Sequence, residues 1–150
     1  MSYATFSLHL KSTIDFHAYN LATAKSLPFL DLAAASIDPA ITESDQPAIC
    51  WTFDDIQEFP IDPMWAASFD IGAMTMLDPS QYISLDIVGA IADAFKIGTS
   101  IDIYDYTGDT MPTEATGTLT VVSCGVAPQQ QDKVTSVRFV RVSVRAVRYG

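Results

Sequence analysis

Residues 69–95 read FDIGAMTMLDPSQYISLDIVGAIADAF, and two different periodicities meet inside them. Phe69, Ile71, Ala73, Thr75 and Leu77 alternate with Asp70, Gly72, Met74 and Met76, the two-residue repeat of a strand with one buried face. Asp78 then stands where a helix N-cap is wanted, with Pro79 at the first helical position. Tyr82, Ile83, Ile87, Val88, Ile91 and Phe95 follow at three- and four-residue steps on one helical face. Lys96 complements the helix C-terminus, and Gly98 can adopt the left-handed cap. The spacing predicts a strand that turns into an amphipathic helix over 79–96.

Upstream, Ala48–Phe53 alternates with Ile49, Trp51 and Phe53 on one side, a strand signal. It is flanked by polar, proline-bounded stretches at 38–47 and 54–64, both expected to be loops. The N-terminal segment carries two patterns. Phe6, Leu8 and Leu10 alternate as in a short strand, while Phe6, Leu10, Ile14, Ala18 and Ala22 step by four as in a helix. The stretch Ser12–Lys25 is expected to be helical, and Phe29–Ala35 a second short helical piece that stops before Pro39. Downstream, Ile101–Tyr106 alternates, 107–116 is a polar loop, Leu119–Val126 is a strand and 127–133 a turn. Val134–Val147 is a long strand that makes an antiparallel hairpin with its predecessor. Val140, Val142, Val144 and Ala146 face one way and Arg141, Ser143 and Arg145 the other. Arg138 and Phe139 break that phase, which suggests a bulge near 138–140. These elements predict a single α+β domain over 1–150, with a mostly antiparallel sheet and helices packed on one face.

A chain of 150 residues with 49% hydrophobic content can bury a core without a disulfide or metal. No stretch approaches the length of a membrane span, and the N-terminus lacks the basic start and apolar run of a secretory signal. Cys50 and Cys124 lie in apolar strand-like segments and read as buried free thiols, with a disulfide between them as the alternative. The net charge of −10 is unevenly placed. All 18 acidic residues precede Lys133, where only Lys11, Lys25 and Lys96 oppose them. From Lys133 onward come Arg138, Arg141, Arg145 and Arg148 and no acid. Such a body repels nucleic acid. The basic strand can pair with acids of its own fold, with those of a neighbouring copy, or line a channel that DNA traverses. At strand rise, Arg141 and Arg145 stand roughly 13 Å apart on one face.

Catalytic signals are weak. His9 and His17 lack the four-residue spacing of a helical metal pair. There is no nucleophile elbow, phosphate-binding glycine loop or dinucleotide fingerprint. Asp54, Asp55 and Glu58 form one acidic cluster and Asp102, Asp105 and Asp109 another. Either could offer oxygen ligands to a hard cation or serve a small acidic hydrolase, but neither has EF-hand spacing, and both read as solvated carboxylates.

The element order resembles that of the tail terminator (tail completion or minor tail) proteins of long-tailed bacteriophages. The resemblance rests on the N-terminal helical region, QPAICWTF at 46–53 with its acidic loop, the unit at 69–95, and VRFVRVSVRAVRY at 137–149. It implies a homohexameric ring that caps the tail tube, ends its polymerisation and joins the head–tail connector in the virion neck, after assembly in the host cytoplasm. Another neck or tube component would share the layout. The resemblance implies no cofactor, metal, catalysis or membrane, and DNA only as cargo passing through the ring. Arg138, Arg141, Arg145 and Arg148 would serve a subunit interface or the channel. Asp54, Asp55 and Glu58 in one loop, and Asp109 and Glu114 in another, would contact partners.

Overall fold

The computed structural model describes residues 3–31, 48–58, 64–76, 82–131 and 135–149. The elements are α1 (Tyr3–Ala24), β1 (Phe29–Asp31), β2 (Ala48–Glu58), β3 (Met64–Met76), α2 (Tyr82–Ala94), β4 (Ser100–Ile103), β5 (Gly117–Val126), β6 (Gln130–Gln131) and β7 (Thr135–Arg148). The fold is α+β, as the periodicities predict. One sheet runs β1-β2-β3-β7-β5-β4, with β6 paired to β7. Every pairing is antiparallel except that of β1 with β2.

The four-residue pattern wins in α1, because it puts Phe6, Leu10, Ile14, Ala18 and Ala22 in one stripe that is at most 1% exposed. Leu8, which the alternating pattern would bury, is exposed. The helix therefore starts well before the expected Ser12. It ends where Ser26 takes a positive φ of 56°, with Leu27 N–H donating to Ala22 O and Ser26 N–H to Thr23 O. That is a Schellman cap, and it brings Leu27 onto the core. Ile87, Val88 and Ile91 of α2, with Phe95 just beyond it, enter the same core. Asp78 and Pro79, expected to start α2, lie outside the described residues. At the other end Gly98 has a φ of 89° and its N–H donates to Val121 O, so the cap also ties the helix exit to β5.

Both described helices cover one face of the sheet. That face presents Trp65, Ala67, Phe69, Ile71 and Ala73 of β3, Val140, Val142, Val144 and Ala146 of β7, Leu119 and Val121 of β5, and Ile103 of β4. Trp65 is fully buried, 5.1 Å from the Phe6 ring, and Phe69 meets Phe95 edge-on at 5.4 Å. Each such side chain contributes about 1.5–3 kcal/mol by leaving water.

Three further expectations need correction. Phe29–Asp31 is a strand rather than part of a helix, because parallel pairing with Ile49–Trp51 satisfies its backbone. The rest of the expected 29–35 helix, and the 38–47 loop, lie outside the described residues. The segment 54–58 is strand rather than loop: β2 continues to Glu58 against a β3 that begins at Met64. The expected bulge in β7 is absent, since β3 and β7 pair without interruption from Met64↔Val147 to Met76↔Thr135. The bulges fall instead in β2 between Phe53 and Asp55, and in β5 between Val121 and Ser123. Phe139 breaks the phase for a different reason. At that end the sheet is buried on its second face too, at Ala48, Cys50, Gly72 and Met74.

A candidate subunit interface on the outer sheet face

The alternation along β7 divides its arginines between the two faces of the sheet. Arg141 and Arg145 point away from α1 and α2 and are exposed. Arg138 and Arg148 are in phase with the core valines, at the two ends of the strand, and are half-buried. The guanidinium carbon of Arg148 lies 5.9 Å from the centre of the Trp65 ring, a cation–π arrangement. The four arginines therefore do not form one patch, and Arg148 helps to close the core.

On the outer face Arg141 stands opposite Asp70 of β3, and its Nη1 donates to Asp70 Oδ2 at 3.1 Å. Part of the basic strand is thus neutralised within the chain. Arg145 stands between Ala66 of β3 and Thr120 of β5, neither of which carries charge. It has no ion pair among the described residues. Around it the face is small and polar: Ser68 and Ser143 share a hydrogen bond at 3.1 Å, and Thr118 bonds the Tyr149 hydroxyl. Val122 of β5 (43% exposed), Val147 of β7 (38%) and Tyr149 just after β7 (50%) are exposed. Val122 is the residue that the β5 bulge leaves out of register.

Asp109 and Glu114 are exposed in the loop between β4 and β5, as expected. Asp55 and Glu58, expected in a loop, hold register positions in β2 opposite Ser68 and Trp65. Asp54 occupies the β2 bulge. Pairing with the unexpectedly early start of β3 draws this acidic segment into the sheet. Among the described residues, no three His, Cys, Asp or Glu side chains converge on a metal position. Asp102 and Asp105 separate because Asp102 lies in β4 opposite Thr118, whereas Asp105 turns to α1.

What sequence reading missed is the seam between α1 and the β4–β5 loop. His9 Nδ1 lies 3.2 Å from Thr116 Oγ1 and its Nε2 lies 3.5 Å from Asp105 Oδ2. Thr13 Oγ1 accepts from Tyr104 N–H and donates to Tyr104 O, both at 3.1 Å. Ser12 Oγ accepts from Tyr106 N–H at 3.3 Å, and the Phe16 and Tyr106 rings stack at 4.1 Å. Asp105 also accepts from the hydroxyl and the N–H of Thr107, which hold its carboxyl below the ordinary carboxylate value; the charge of His9 adds a smaller pull in the same direction.

The order hydroxyl, imidazole, carboxylate invites comparison with a nucleophile and its base, but here it ties α1 to the β4–β5 loop. The Thr116 hydroxyl also lies 3.3 Å from Ile103 O, to which it can donate while its oxygen accepts from His9. The cluster is a latch. His9 and Thr116 are 107 positions apart, and no local signal links them. The second histidine, His17, has its pKa lowered by burial and lies edge-on to Phe16.

No family model matches the chain, and no curated protein matches it. Among solved structures, 14 chains match. One of them, carried under a bare sequence identifier, aligns over 95% of this chain and 96% of its own with a TM-score of 0.64 at 6% identity. At that identity the likeness shows a shared fold and nothing about activity.

Proposed function

We propose that this chain is a structural subunit of a phage tail. Copies of it close into a hexameric ring that caps the tail tube, stops its polymerisation and presents a surface to the head–tail connector. The observation that carries this reading is the separation of unlike charge. An acidic body bears an exposed Arg145 on the outer sheet face, with no ion pair among the described residues, while carboxylates crowd the loop at one end of the sheet. Closed rings need two unlike, complementary patches on each subunit, and this distribution provides them. The element order shared with tail terminators supports the same reading. In it the chain carries out no catalysis and binds no cofactor; DNA only passes through the ring, and the protein resides in the virion neck.

Negative-stain electron microscopy with light scattering tests the proposal, on the purified chain alone and after mixing with preassembled tail tubes. Rings, or caps at tube ends, are expected. A protein that stays monomeric at high concentration and leaves tubes uncapped refutes it.

A further inference from the structure

We propose that the β4–β5 loop of one copy docks on the Arg145 face of the next copy, with Met111 as its apolar anchor. This rests on the ring reading above and names the two surfaces that would join. The loop has a pinned base and an exposed tip. His9, Ser12, Thr13 and Phe16 of α1 hold Tyr104–Tyr106 and Thr116 through the contacts described above. Between these anchors Met111 is 70% exposed, with Asp109 and Glu114 exposed on either side of it. A large apolar side chain on a loop whose two ends are held loses less freedom when it binds than one on a free segment, which favours it as an anchor. Flanking carboxylates add register and partner choice.

The receiving surface has the opposite composition. Arg145 is exposed and lacks an ion pair among the described residues, and Val122, Val147 and Tyr149 provide exposed apolar area beside it. An apolar side chain set between two carboxylates matches an arginine set among apolar side chains. The loop does not pair with its own Arg145: among the described residues, neither Asp109 nor Glu114 forms an ion pair with it. Its anchors are on α1, which packs on the core face, whereas Arg145 is on the opposite face. The occupant is therefore a second copy, and the contact is head-to-tail, the type that propagates around a ring.

Charge exchange provides the test. One variant carries Asp109→Lys and Glu114→Lys, the other Arg145→Glu; Arg141 is left in place because it pairs with Asp70. All three changed residues are exposed, and circular dichroism melts check that both variants keep the fold. Each variant alone should need about tenfold more protein to assemble, read by mass photometry. A mixture of the two should assemble again, because each loop then faces a patch of opposite charge on the other variant. Unchanged assembly of either variant, or failure of the mixture to assemble, overturns the docking proposal while leaving the ring reading intact. Failure of the wild-type chain to assemble, alone or with tubes, overturns both.

Discussion

Replacing Gly72 by alanine should separate the two central strands. Gly72 lies opposite Phe139 in the β3–β7 pair. A Cβ there would sit 2.2 Å from the Arg138 carbonyl oxygen, and 3.0 Å from the Arg138 carbonyl carbon and from Phe139 Cα. All three atoms are backbone, so no side chain can swing aside. Recovering an ordinary carbon–oxygen contact of about 3.3 Å requires the strands to part locally by roughly 1 Å. Forced overpacking costs about 1–3 kcal/mol, and a contact this short belongs at the upper end of that range. The stiffer unfolded chain of the alanine variant returns about 0.4–1 kcal/mol. The net loss is about 2 kcal/mol, or roughly 4–8 °C in Tm for a chain of this length. Gly89→Ala is the matched control. Gly89 lies mid-helix in α2, is exposed, and has nothing within 4 Å of a new Cβ, so alanine should stabilise by about 0.5–1 kcal/mol. Urea unfolding followed by far-ultraviolet circular dichroism measures both, at a protein concentration where one oligomeric species is present. The close-approach argument fails if Gly72→Ala unfolds at or above the wild-type midpoint, or if the two substitutions shift it in the same direction.

Ile87→Asp should abolish cooperative unfolding and soluble expression, because it puts an unpaired carboxylate at a position 3% exposed in the core; a folded variant would mean that α2 is wrongly phased. Burial pushes the Cys50 thiol up to about 12 and also raises that of the half-buried Cys124, so both free thiols should react slowly with an aromatic disulfide reagent at neutral pH. Cys50 should label only after denaturation, and rapid native labelling mapped to it by mass spectrometry would contradict the packing. Asp105 has a lowered folded-state pKa, so its contribution is complete above the ordinary value of 3.8 and is lost as pH falls through the lower folded value. Protection of the Tyr106 and Thr107 amides, taken relative to the intrinsic exchange rate at each pH, should fall over that acid range, and Asp105→Asn should show the lower protection already at neutral pH; a variant indistinguishable from wild type would remove Asp105 from the latch.

The periodic elements were open to reading from residue order because their signal is carried by chain neighbours. The alternation through Phe69–Thr75 and Val140–Ala146, and the helical stripe from Ile87 to Phe95, each declare a buried face within a few residues. Composition misled where partners compete with propensity. Asp54, Asp55 and Glu58 look like an acidic loop, yet a β3 that begins at Met64 draws them into a strand, and a bulge at Asp54 absorbs the mismatch. Phe29–Asp31 has no strand period of its own and becomes a strand through pairing with β2. The phase break at Phe139 reflects burial on both faces of the sheet, not an inserted residue.

The interface divides along the same line. Residue order alone placed the arginines at the end of an acidic chain and put Arg141 and Arg145 on one face of a strand. Only the assembled sheet decided that Asp70 neutralises Arg141, that Arg145 stands among uncharged neighbours, and that Arg148 turns back over Trp65. The latch that holds the Met111 loop depends on contacts between residues about a hundred positions apart. Local periodicity determines which side of an element faces the core. Which charges meet, and which loops are held, depends on strand order and register, and those exist only once distant segments are packed together.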